Sequence, residues 1–214
     1  MRTLKGPNPT LVSICGPLAA GSTQLARRLA RALDWETALE PNRPASNPFF
    51  VDYYRNPRRF SFENQVAFLV ESVSQHDRIR ASARPGDVFV QDYSPYAHMG
   101  VYARVQRELG YLSASQLRLL DRLAAEVEPL LIPPALMVYR RVDPATALER
   151  VRNRGRPGES RVSPAFVIAI VRQFERWIRG WNRSPVVALP PEFDVMSDAI
   201  AFGRTVRLIQ KALR

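Results

Sequence analysis

Residues 10–33 read TLVSIC, then GPLAAGST from Gly16, then QLARRLARAL. No other stretch limits the fold as tightly. TLVSIC is short, apolar and β-branched, which predicts a buried strand over 10–15. Beyond the glycine turn, Leu25, Ala26, Leu29, Ala30 and Leu33 recur at helical spacing and predict an amphipathic helix. Strand, glycine turn and helix in that order open a parallel α/β layer. The turn, with Gly16, Gly21, Ser22 and Thr23, also has the spacing G-x-x-x-x-G-K-[ST] of a phosphate-binding loop, with Ser22 in the lysine slot. Spacing alone leaves two readings open. Either the loop N–H groups and the helix N-terminus cradle phosphate, with Thr23 placed to ligate Mg2+, or two glycines serve a plain strand-to-helix link.

The alternation continues. ETALE (36–40) predicts a short second strand, followed by a proline-rich loop and the aromatic segment FFVDYYRNPRRF. A long helix is predicted from Ser61 to about Ala83, a turn at Arg84–Asp87, and a third strand at VFVQ (88–91). Helices over about 95–109 and 113–129 are divided at Gly110, and ALMVYR (135–140) predicts a fourth strand. Asp143 and Pro144 read as a helix N-cap and a first-turn proline. The basic loop RNRGRPGES, a helix over about 163–182, a fifth strand at PVVAL (185–189) and a last helix complete the chain. The expectation is a doubly wound, five-stranded parallel sheet flanked by helices in a single domain over 1–214. Ligands would bind beyond the carboxyl ends of the strands, where the candidate loops are those after strands one, two, three and four.

Charge narrows the partners. The formal net charge is +11, yet Lys5 and Lys211 are the only lysines, and the arginines are spread along the chain rather than gathered in a stripe. Nucleic acid is therefore not the expected partner, and phosphate, which the guanidinium fork grips bidentately, is. A single cysteine, Cys15, allows no internal disulfide, and MRTLKGPNPT has no apolar core of a leader. The longest apolar run, PLLIPPALMVY, is broken by Pro133 and Pro134 and is no membrane span. A cytoplasmic protein is expected. His76, His98 and Cys15 fit no standard metal spacing, and no Ser–His–Asp arrangement is suggested.

Four motifs in order carry a resemblance. These are GPLAAGST, LEPNRPASNPFFVDYYRNPRRFSFENQVAFL, QDYSPYAHMGVYA and LERVRNRGRPGE. From the first strand to RSPVVAL the chain resembles the deoxynucleoside kinase family, of the bacterial deoxyadenosine/deoxyguanosine kinase type. The resemblance implies a P-loop kinase-like fold with an arginine lid at about 152–162, and ATP-dependent 5′-phosphorylation of deoxynucleosides with Mg2+. It implies Glu40 as general base for the 5′-hydroxyl and Asp92 as the second acid, near Mg2+ with Thr23. It implies Tyr54 and Glu159 on the sugar 3′-hydroxyl and Gln65 on the base edge. Arg150, Arg154 and Arg156 would close on the donor phosphates. It also implies a dimer, built on the long helices after strands two and three, with an identical chain or a paralogue.

The departures from the family pattern cluster. Ser22 replaces the loop lysine, Tyr93 replaces the arginine of the D-R-S motif, and Ser72 and His98 replace a base-reading pair. The sugar-side residues are kept, so nucleoside binding is expected to survive better than catalysis. The alternative is a non-catalytic member of the family that pairs with an active paralogue. Phe60, Phe62 and Phe68 are expected in the core.

Overall fold

Five strands form one parallel sheet in the order β2-β3-β1-β4-β5. They are β1 (Thr10–Cys15), β2 (Glu36–Ala38), β3 (Val88–Gln91), β4 (Leu136–Arg140) and β5 (Val186–Leu189). The computed structural model describes residues 8–41, 43–194 and 197–214, so Lys5 and Asn42 lie outside the described residues. β1 is the middle strand and pairs with β3 on one side, Val12 opposite Val90, and with β4 on the other, Val12 opposite Leu136. β2 and β3 are added on one side of β1 and β4 and β5 on the other, and this switch places a crevice beyond the carboxyl end of β1.

Alternation along β1 and β4 divides the core between the two faces of the sheet. Val12, Ile14, Leu136 and Val138 pack with Leu25 and Leu29 of α1 (Ser22–Leu33) and Ile209 of α9 (Ala199–Ala212). Cys15, Met137 and Tyr139 pack on the other face with Ile170 and Phe174 of α8 (Pro164–Arg179). Each such aliphatic side chain, buried fully, contributes roughly 1.5–3 kcal/mol. The Cys15 thiol is fully buried, and burial pushes its pKa far above the ordinary thiol range.

Between β2 and β3 run α2 (Arg43–Ser46), α3 (Phe50–Arg55) and α4 (Pro57–Ser82). α4 starts a turn earlier than the sequence pattern alone suggests. The Asn56 side chain accepts from Arg59 N–H at 3.2 Å, and Pro57 sits in the first turn, where its missing N–H costs nothing. Near the carboxyl end of α4, His76 is buried between β3 and the segment before β4. Its Nδ1 accepts from Ile132 N–H at 2.7 Å, and its Nε2 lies 3.1 Å from Gln91 Nε2.

The helix expected over 95–109 is not uniform. His98–Ala103 forms a π-helical turn that runs into α5 (Arg104–Glu108). The turn packs closely on α8. A Cβ on Gly100 would lie 2.2 Å from Trp177 Nε1 of α8, so only glycine lets α8 approach, and Gly100 carbonyl accepts from Gln173 Nε2 at 2.9 Å. α6 (Ala114–Val127) is capped by Ser113 with a reciprocal Gln116 bond, and α7 (Pro144–Arg154) by Asp143, as its sequence predicts. No helix among the described residues is long and apolar enough to cross a membrane.

Candidate active site

The glycine loop opens at the carboxyl end of β1. Gly16 has no room for a side chain, since a Cβ there would meet the Arg140 carbonyl at 2.6 Å. Ala19 and Gly21 take positive φ, 59° and 81°, and Gly21 starts α1 without a side-chain cap. The first N–H groups of α1 are therefore left for a ligand. The loop forms one wall of a cavity of about 930 Å³.

The opposite wall brings together residues far apart in the chain. Asp92, the first residue beyond β3, is 5% exposed and accepts twice. Its Oδ2 takes the Thr23 hydroxyl at 2.6 Å and its Oδ1 takes Glu40 N–H at 2.7 Å. One carboxylate thus ties the loop after β1 to the loop after β2. Gly16, Gly21, Ser22, Thr23, Glu40, Asp92, Tyr93, Arg150, Arg154 and Arg156 all line this cavity.

The residues expected at the nucleoside end also gather. Tyr54, Gln65 and His98 line a second, much smaller cavity with Tyr53, Phe68 and Gln106. Tyr93 and Tyr102 border both cavities, so the tyrosine standing for the D-R-S arginine forms part of the partition. Gln65 is fully buried. Its Nε2 donates to Gln106 Oε1 at 3.1 Å, while its Oε1 has no protein partner. Gln106 also bonds the Tyr53 phenol, whose pKa burial pushes well above the usual tyrosine range. His98 stacks on Phe68 with ring centroids 4.3 Å apart, so Phe68 is core and pocket wall at once. Ser72 turns back to the Phe68 carbonyl at 2.8 Å and lines neither cavity.

The segment expected to act as a lid, about 152–162, is anchored from within. Glu159 is buried and holds Arg154 bidentately, at 2.6 and 2.5 Å. Gly158, with φ 86°, packs on the Tyr54 ring, where a Cβ would come within 3.1 Å. Tyr54 and Glu159 are therefore neighbours, but Glu159 lines neither cavity and is engaged by an arginine expected to serve a different ligand.

Sequence reasoning missed several of the lining residues. Arg27 belongs to α1 and its spacing was legible as a polar face. Arg140, Pro191, Phe193 and Asp194 come from the end of β4 and the loop after β5, a loop outside those expected to carry ligand. Gln106 sits past the π-turn with no motif around it.

Comparison with known proteins agrees with this fold. The chain matches the deoxynucleoside kinase family model over residues 12–214. It is 29% identical over 195 residues to the deoxyadenosine/deoxycytidine kinase of Bacillus subtilis (strain 168), spanning 90% of this chain and 88% of that protein. It is 27% identical over 181 residues to the deoxyadenosine kinase of Dictyostelium discoideum, spanning 84% of this chain and 71% of that one. Its fold is similar to that of deoxyadenosine kinase from M. mycoides with bound dATP, with a TM-score of 0.78 at 20% identity over 95% of this chain and 99% of that one. The family match begins inside β1 and continues to the last residue, so the glycine loop, Glu40, Asp92 and residues 152–162 all fall within it, and the chain belongs to the deoxynucleoside kinase family.

Proposed function

We propose that the protein transfers the γ-phosphoryl group of ATP to the 5′-hydroxyl of a deoxynucleoside. The observation that carries this is the pair of hydrogen bonds that Asp92 accepts, from the Thr23 hydroxyl and from Glu40 N–H, which fixes the donor loop and the candidate base on a single carboxylate. In this reading Glu40 takes the 5′-hydroxyl proton as the oxygen attacks the γ-phosphorus. The bond to the β,γ-bridging oxygen breaks, and ADP leaves with that electron pair. Arg150, Arg154 and Arg156 stabilise charge on the transferring group, and the N–H groups of Gly21, Ser22 and Thr23 hold the donor. Tyr54, Gln65, His98 and Glu159 place the nucleoside.

Mg2+ fits the donor set at Thr23 and Asp92, a hydroxyl and a carboxylate oxygen, because this ion is commonly held by one or two carboxylates plus substrate phosphates. No cluster of three or more His, Cys, Asp or Glu side chains suited to a metal occurs among the described residues, in keeping with a metal that arrives with the nucleotide. When bound it would neutralise charge on the donor phosphates. The reading also takes the chain as one cytoplasmic domain with a lid at 152–162, acting as a dimer. The Arg154–Glu159 pair suggests how the lid works: a 3′-hydroxyl engaging Glu159 would release Arg154 toward the donor. Neither the fold nor the relatives favour the non-catalytic alternative.

The test is transfer of labelled γ-phosphate from ATP to each of the four deoxynucleosides by the purified chain. At least one should be phosphorylated, and Glu40→Gln should lower its turnover by about 10²–10⁴. Failure on all four by folded protein, or full activity in Glu40→Gln, would overturn the assignment.

A further inference from the structure

The glycine loop carries Ser22 where its motif places a lysine, yet a cation touches the loop from another element. Arg140, the last residue of β4, is 4% exposed and lines the large cavity. Its Nε–H donates to the Ala20 carbonyl of the loop at 3.3 Å, and its Nη1 donates to the Phe193 carbonyl beyond β5 at 3.0 Å. The absent side chain at Gly16 is what permits this approach, because a Cβ there would lie 3.2 Å from Arg140 Cβ and closer still to its carbonyl.

Two neutral carbonyls are poor compensation for a buried guanidinium. Among the described residues no carboxylate lies within ion-pair distance of Arg140. Burial first, and then Arg150, push its pKa down, and Asp194 opposes them. An anion in the cavity would relieve this imbalance. The two carbonyls take two of the five N–H groups of the guanidinium, which leaves up to three for phosphate oxygens. The group is already oriented, so little freedom is lost when it binds.

The other arginines on the wall differ. Arg154 is held by Glu159, and Arg27, Arg150 and Arg156 are exposed, where solvent weakens their pull. We infer that Arg140 supplies to the donor triphosphate the fixed positive charge that the loop lacks at Ser22. The inference rests on the phosphoryl-transfer reading and names a residue that none of the motifs contains.

Calorimetric titration of the full chain with MgATP, and separately with a deoxynucleoside that it phosphorylates, tests this. Arg140→Gln should weaken MgATP binding at least 30-fold and change nucleoside affinity less than threefold. Ser22→Lys should recover most of that loss in the Arg140→Gln background and gain much less in the wild type, because one charge then answers for the other. Unchanged MgATP affinity in Arg140→Gln overturns the inference, as does an equal loss of both ligands, the mark of a purely structural brace. Should Arg140→Gln fail to fold, Arg140→Lys decides. It keeps the charge without the fork, so MgATP affinity should fall at least threefold, and an unchanged value overturns the inference. Absence of MgATP binding in the wild type is a different result and removes the kinase reading itself.

Discussion

Gln65 holds an acceptor that the protein leaves unanswered. Its Nε2 is committed to Gln106, and its Oε1 is buried without a protein partner. An unsatisfied buried group costs about 1–3 kcal/mol, which a ligand donor would recover. Gln65→Met keeps the volume and removes the acceptor. The nucleoside KM should therefore rise about 5–100-fold, while the KM for ATP stays within about twofold. Steady-state kinetics in both substrates checks this, and equal rises in both KM values would defeat it. Gln65 was legible because it stands in a motif with Tyr54 and the aromatic segment. Gln106, its partner 41 residues away, was not, since a hydrogen bond between two buried amides leaves no local signal. Arg154 and Glu159 were each legible, but their pairing was not. Position in a motif assigns a residue to a ligand and says nothing of what the residue touches when the ligand is away.

On the scale of elements, α4 is tied to the sheet by a histidine that must stay neutral. The His76 pKa is pushed down to about 4 by burial, with Arg80 adding to the effect. Its folded pKa lies below the unfolded value near 6.5, so its contribution is fully present above pH 6.5 and is lost as pH falls toward 4. A shift of this size corresponds to about 3 kcal/mol. Urea unfolding between pH 7 and 4 should show that loss, and His76→Gln should be less stable at pH 7 but flatter over the same interval. Parallel slopes for the two proteins would remove His76 from the account. The strands were readable almost residue by residue, because short β-branched runs have few other uses. The cap at Asp143 and Pro144 was readable too, whereas the one at Asn56 and Pro57 went unread and the helix was expected only from Ser61. The π-turn at His98–Ala103 was not readable either, since apolar spacing does not separate a helix from its widened turn, and the Trp177 that crowds Gly100 sits on α8.

For the molecule as a whole, α4 presents Val70 at 60% exposure while Leu69 and Phe68 beside it are buried. Apolar surface on the outer side of so long a helix suits a second chain, as the family resemblance implies. Light scattering at micromolar concentration should give a dimer, and Val70→Glu should shift it toward monomer. A monomeric wild type would end this expectation. The parallel α/β class was legible from the alternation of strands and helices. The strand order β2-β3-β1-β4-β5 was not, because it depends on which crossovers pack on which face. That order is also what brings Arg140 beneath the glycine loop, a neighbour no linear pattern announces.

The middle strand ends in the only cysteine of the sequence, and its thiol is sealed and held in the protonated form. Only the thiolate reacts with alkylating reagents. Each molecule therefore carries a natural stopwatch at its centre, silent until the sheet parts. Where labelling is slow against reclosing, the rate at which the label enters, divided by that of an exposed thiol, gives the opening equilibrium, so the free energy of opening the core can be followed without a dye or an engineered probe.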